Sequence, residues 1–103
     1  MTTTQVDAAQ IKNIASILKT VAHPTRLSIV HLLSNHEELP VKAICDKLET
    51  EQSLMSHHLS NLKLNGILSS RRQGKQIFYT LKLKDIVKIF ECLENCKCNL
   101  NAF

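Results

Sequence analysis

The chain has 103 residues and a net charge of +4, which bounds it to one domain, with at most short tails. Apolar residues make up 44%, enough for a core, but one Tyr, three Phe and no Trp leave Leu, Ile and Val to fill it. No run approaches the roughly eighteen apolar residues of a membrane span, and MTTTQVDAAQ lacks the basic-then-apolar pattern of a signal peptide. The expectation is a cytoplasmic protein with no membrane partner, in which four cysteines point away from a disulfide framework.

Residues 1–8 read as a mobile, Thr-rich tail. Ile11, Ile14, Ala15 and Leu18 then form one helical stripe too sparse to stand alone, so this helix needs the core or a second subunit to cover it. His23-Pro24 marks a break and restart, since proline fits a first helical turn, where its missing N–H costs nothing. The second helix carries Leu27, Ile29, Val30, Leu32 and Leu33 and ends near Ser34-Asn35. His31 lies within that pattern and reads as a core or interfacial histidine rather than a ligand.

NHEEL is a polar connection, and Pro40 again stands where a helix can begin. Val41, Ile44, Cys45 and Leu48 give a short third helix with Cys45 inward. Glu49 and Thr50 form a tight turn, with Thr50 the expected N-cap of the next helix. That helix, TEQSLMSHHLSNLKL, turns Leu54, Met55, His58, Leu59 and Leu62 inward and Gln52, Ser53, Ser56, His57, Ser60, Asn61 and Lys63 outward. The outward face is polar yet almost uncharged, which suits base edges in a major groove better than the Lys and Glu of an ordinary solvated face.

Gly66 closes the fourth helix. ILSSRRQGKQIFYTLKL reads as two strands joined at Gln73-Gly74, with Arg71, Arg72 and Lys75 crowding the tip. Ile86, Ile89, Phe90 and Leu93 define a fifth helix over 84–96, followed by a cysteine-containing tail at 97–103. The expected fold is mainly α with a small β-hairpin, five helices plus a two-stranded wing, in a single winged helix-turn-helix domain. Charge follows the same plan. From Lys63 to Lys88 seven basic residues face Asp85 alone, whereas the preceding residues carry five basic and six acidic groups. That concentration around the reading helix marks a polyanion binder.

In HPTRLSIVHLL at 23–33, QSLMSHHLSNLKLNGIL at 52–68 and RRQGKQIFYTL at 71–81, the chain resembles the ArsR/SmtB family of small winged-helix repressors, over essentially its whole length. The resemblance implies a homodimer paired through the first and last helices, sitting on double-stranded DNA. Two reading helices related by a two-fold would enter major grooves roughly 34–36 Å apart on an imperfect palindrome. It places Gln52, Ser53, Ser56 and His57 toward the groove. Ser60, Lys63, Arg71, Arg72 and Lys75 are the phosphate-contact candidates.

The family's third-helix metalloid pattern, ELCVCDL, is here Glu38-Leu39-Pro40-Val41-Lys42-Ala43-Ile44, without either thiol and with a cation-repelling lysine. The fifth helix contains no His, so the family's Asp/His metal site there is not expected either. What remains is Cys92, Cys96 and Cys98. In a continued helix Cys92 and Cys96 lie one turn apart, with Cβ atoms roughly 5–6 Å apart, where two thiolates could share one soft ion such as a soft divalent metal, and Cys98 could close a three-sulfur site if the tail folds back; the resemblance implies As(III) or Sb(III) as a ligand for three cysteines near the end of this helix. The same exposed, Lys-flanked thiols suit a redox or persulfide sensor. A third reading gives the tail cysteines no signal. No cofactor is certain on these grounds.

Catalysis has little to stand on: His57 and His58 diverge on a helix, and Gly66 and Gly74 alone make no phosphate-cradling loop. A winged-helix protein-interaction module without DNA binding is the other alternative. It would call for an apolar or acidic exposed helix face.

Overall fold

The computed structural model describes residues 6–95. In chain order they form α1 (Ala8–Val21), α2 (Pro24–Ser34), β1 (Leu39–Pro40), α3 (Val41–Leu48), α4 (Gln52–Leu64), β2 (Leu68–Gln73), β3 (Gln76–Leu81), a 3₁₀ turn (Lys84–Ile86) and α5 (Val87–Asn95).

Local chemistry sets most boundaries. Asp7 and Gln10 close α1 with a reciprocal capping box, Gln10 N–H donating to Asp7 at 2.8 Å and Asp7 N–H to the Gln10 amide oxygen at 3.1 Å. The expected N-terminal tail therefore gives way by Asp7, and the helix starts at Ala8. His23 caps α2, its Nδ1 accepting from Thr25 N–H at 3.1 Å, with Pro24 in the first turn. At the end of α4, Gly66 adopts φ +76° and donates to the Lys63 carbonyl, while Ile67 N–H reaches back to Leu62. That paired back-bonding satisfies carbonyls the helix end leaves open, and it favours glycine there.

Thr50 does not cap α4. The capping position falls on Glu51, without a side-chain bond, and the Thr50 hydroxyl donates back to the Leu48 carbonyl at 3.0 Å. The turn is made instead by Glu49, which takes the left-handed conformation at φ 50°.

The core is one cluster. Ile29, Val30 and Leu33 of α2 meet Ile44 of α3, Met55, Leu59 and Leu62 of α4, and Leu68, Tyr79 and Leu81 of the sheet. Leu54, expected inward, is 49% exposed. At about 100° per residue it sits roughly 90° from the centre of the Met55–His58–Leu59–Leu62 face. Of the two places expected for His31, core or interface, the core is not the one: it is exposed on α2, with its ring 5.7 Å from that of Phe90 on α5.

The sheet has three strands, not two. Leu39 and Pro40 pair antiparallel with Tyr79 and Phe78, giving the order β1-β3-β2. Proline on an edge strand is where a missing N–H is tolerated, so the segment expected as a plain polar connection ties the hairpin to the root of α3. In the hairpin, Gln73 faces Gln76, leaving a two-residue turn with Gly74 first at φ +62°, the placement of a type II′ turn.

Two apolar rows stay uncovered. Ile11, Ile14 and Leu18 on α1 and Ile89 and Leu93 on α5 are each 42–56% exposed. Among the described residues, no helix is long and apolar enough to cross a membrane.

Candidate nucleic-acid interface

The inward side of α4 fixes how its outer side is presented. Met55, Leu59 and Leu62 are fully buried, so the helix cannot roll without opening the core. Gln52, Ser53, Ser56, His57, Ser60 and Lys63 are all exposed. Only Lys63 among them carries a fixed charge. Two are engaged locally: the Ser53 hydroxyl donates to Glu51 at 2.6 Å, and His57 lies beside Asn61, whose amide donates to the His57 carbonyl at 3.0 Å.

His58 does the opposite job from its neighbour. It is buried, its Nδ1 accepts from Arg26 Nε at 3.0 Å, and its ring packs 4.8 Å from that of His23. Burial lowers its pKa below the ordinary value, and His23, Arg26 and His57 push the same way, so the ring is neutral and can accept. Arg26 also donates to the Thr20 carbonyl at 3.2 Å. One guanidinium thus joins the end of α1 to the reading helix.

Beside α4, a groove of about 700 Å³ separates it and α3 from the hairpin; Lys42, Cys45, Gln52, Ser56, Lys75 and Ile77 line it. Lys42, which lines this groove, was not among the interface candidates expected from the sequence. Its position in the first turn of the helix preceding the reader was the available signal, because that helix crosses the backbone in such motifs.

The wing residues divide by strand alternation. Arg72 opposes Ile77, which lines the groove, and so shares the face turned toward α4. Arg71 opposes Phe78 on the other face. Its Nε donates to Glu38 at 2.9 Å and its Nη2 to the second Glu38 oxygen, while Nη1 donates to Gln73 at 2.7 Å. The guanidinium lies 4.6 Å over the Phe78 ring. The pair holds the Glu38 carboxyl below the usual range and raises Arg71.

Of the cysteines, Cys45 is half-buried on α3 and burial pushes its thiol pKa up, the environment of a packed rather than a reactive thiol. Cys92 is exposed on α5. Cys96 and Cys98 lie outside the described residues. Among the described residues no three His, Cys, Asp or Glu come together as a metal site.

Two short helices joined by a tight turn, the second presenting a polar uncharged face and followed by a basic hairpin, define a winged helix-turn-helix DNA-binding regulator. A family model described as a helix-turn-helix domain matches residues 21–71. The transcriptional repressor PagR of Bacillus anthracis is 33% identical over 93 residues, covering 87% of this chain and 93% of PagR. The structure of HlyU from Vibrio cholerae superposes with a TM-score of 0.77 at 29% identity, covering 90% of this chain and all of that one. The homodimeric winged helix-turn-helix DNA-binding domain Mb0332 of Mycobacterium bovis, described as a possible ArsR-family regulator, matches at a TM-score of 0.76 and 27% identity over 96% of this chain and 93% of its own. The chain belongs to the ArsR/SmtB family of winged helix-turn-helix transcriptional regulators.

Proposed function

We propose that the chain is a homodimeric, sequence-specific transcriptional repressor that binds an imperfect palindrome in double-stranded DNA. The observation that carries this reading is the exposed, nearly uncharged outer face of α4 beside the basic hairpin. Gln52, Ser53, Ser56 and His57 read base edges in the major groove. Ser60, Lys63, Arg72 and Lys75 contact phosphate. The exposed rows on α1 and α5 supply the dimer surface, in keeping with the homodimeric state of Mb0332. Repression follows the named role of PagR. Fluorescence anisotropy on duplex DNA across a salt series tests it. Tight, salt-dependent and sequence-selective binding is expected; a flat response at low salt would instead favour a protein-interaction module.

The signal is assigned to Cys92, Cys96 and Cys98 as a soft-ligand site for As(III), Sb(III) or a soft divalent metal that releases the operator. What favours it is the place of Cys92, exposed and next in sequence to Leu93 on the uncovered face of α5. A ligand there bears on the contact between subunits, and a coupling of roughly 1–3 kcal/mol is typical of such linkage. The same exposure supports oxidation or persulfidation of these thiols as the second reading. Operator release measured in parallel with arsenite, cadmium, zinc, peroxide and polysulfide separates the two.

A further inference from the structure

We propose that Glu38 and Arg71 form a strut that sets the angle of the wing against the reading helix, so that Arg71 is a positioning residue and not a phosphate contact. This rests on the DNA-binding reading above. The observation is that each nitrogen of the half-exposed Arg71 guanidinium already makes a bond within the chain, two to Glu38 and one to Gln73, while one face lies on Phe78. Exposed ion pairs usually contribute little, but a bidentate arginine–carboxylate fork is the geometry that departs from that rule.

The placement gives the pair leverage. Glu38 immediately precedes β1, whose Leu39 and Pro40 pair with β3 and lead directly into α3 at Val41. Arg71 lies on β2, across the sheet, and strand alternation puts it on the face opposite Arg72 and Ile77. The fork therefore spans all three strands, from the root of the helix-turn-helix to the outer strand of the hairpin. The Thr80 hydroxyl, donating to the Glu37 carbonyl, fastens the same edge. Neighbouring arginines thus divide the work: Arg72, on the groove side, has only its Nε engaged, at 3.3 Å to the Gly74 carbonyl, and keeps its terminal nitrogens for phosphate, while Arg71 holds the arm that carries it.

The test compares E38Q, R71Q and the charge-swapped pair E38R/R71E with the unaltered protein. Two readouts serve: hydrogen exchange of the hairpin amides without DNA, and operator affinity across a salt series. A strut predicts faster hairpin exchange in both single variants and operator binding weaker by about two- to fivefold. It also predicts an unchanged salt slope, with recovery of both properties in the swapped pair. A phosphate contact predicts the reverse: E38Q tightens binding, R71Q loses about 0.9 from the salt slope, hairpin exchange stays as it was, and the swap makes matters worse. That pattern would overturn the proposal. Absence of DNA binding by the unaltered protein would defeat the DNA-binding reading instead, while the exchange measurement would still decide whether the strut exists.

Discussion

Arg26 donates to His58 across the junction of α2 and α4 at 3.0 Å, and with its other arm reaches the last turn of α1. Three helices therefore share one side chain at the back of the reading helix. Arg26→Ala leaves a buried imidazole nitrogen and a carbonyl without their donor, a loss of about 1–3 kcal/mol. Chemical denaturation should show that drop at neutral pH; an unchanged midpoint would mean the contact holds nothing together.

The same ring predicts a pH response. The folded pKa of His58 lies below its ordinary value, so the unfolded chain takes up a proton that the folded chain refuses. Above about pH 6.5 both states are neutral there and the full stability is present. As pH falls below that value stability declines, until the folded pKa is reached. Melting temperature should drop between about pH 7.5 and about pH 5.5, and less so in His58→Asn, which keeps an acceptor for Arg26 but does not titrate. An identical drop in that variant would assign the effect to other groups.

On the reading face, His57→Ala should reduce discrimination between operator and random duplex by about 1–3 kcal/mol, with little change in affinity for random DNA. The check is the ratio of dissociation constants at one salt concentration. A constant ratio would remove His57 from base recognition.

Arg72→Ala and Lys75→Ala should behave differently from His57. Each should weaken all duplexes alike and lower the salt slope by about one, because phosphate carries no sequence information. A loss confined to one sequence would contradict that role.

For the subunit contact, Leu18→Glu on α1 or Leu93→Glu on α5 should give a folded monomer. Both side chains are about half exposed in the single chain, at 47% and 52%, so neither substitution opens the core. Sedimentation should show one subunit, with circular dichroism unchanged and operator binding lost. Replacing Cys92, Cys96 and Cys98 together by Ser should leave operator binding intact and abolish release by thiol-reactive signals; full inducibility in that variant would end the cysteine assignment.

The helices were legible in the sequence because their apolar spacing and their stops are local properties. Gly66 and Pro24 act through their own backbone geometry, and the structure puts both where the sequence indicated. Features that depend on partners far along the chain were not. Leu39-Pro40 becomes a strand only because β3, about 40 residues later, offers an edge to pair with. Arg71 looks like any basic wing residue until Glu38, 33 positions earlier, is brought beside it. Leu54 failed for a related reason: membership of an apolar pattern does not say how far round the helix the core extends.

Because the outer face of α4 is almost without charge while the hairpin beside it is basic, the proposed DNA contacts divide two properties of recognition largely between separate parts of the molecule. Ionic strength would then govern how long the protein lingers on any stretch of duplex, chiefly through the hairpin and Lys63 at the end of α4. The ranking of one stretch over another, set by amides, hydroxyls and an imidazole, stays nearly constant as counterions come and go. A cell could swing widely in potassium and still have the same address read.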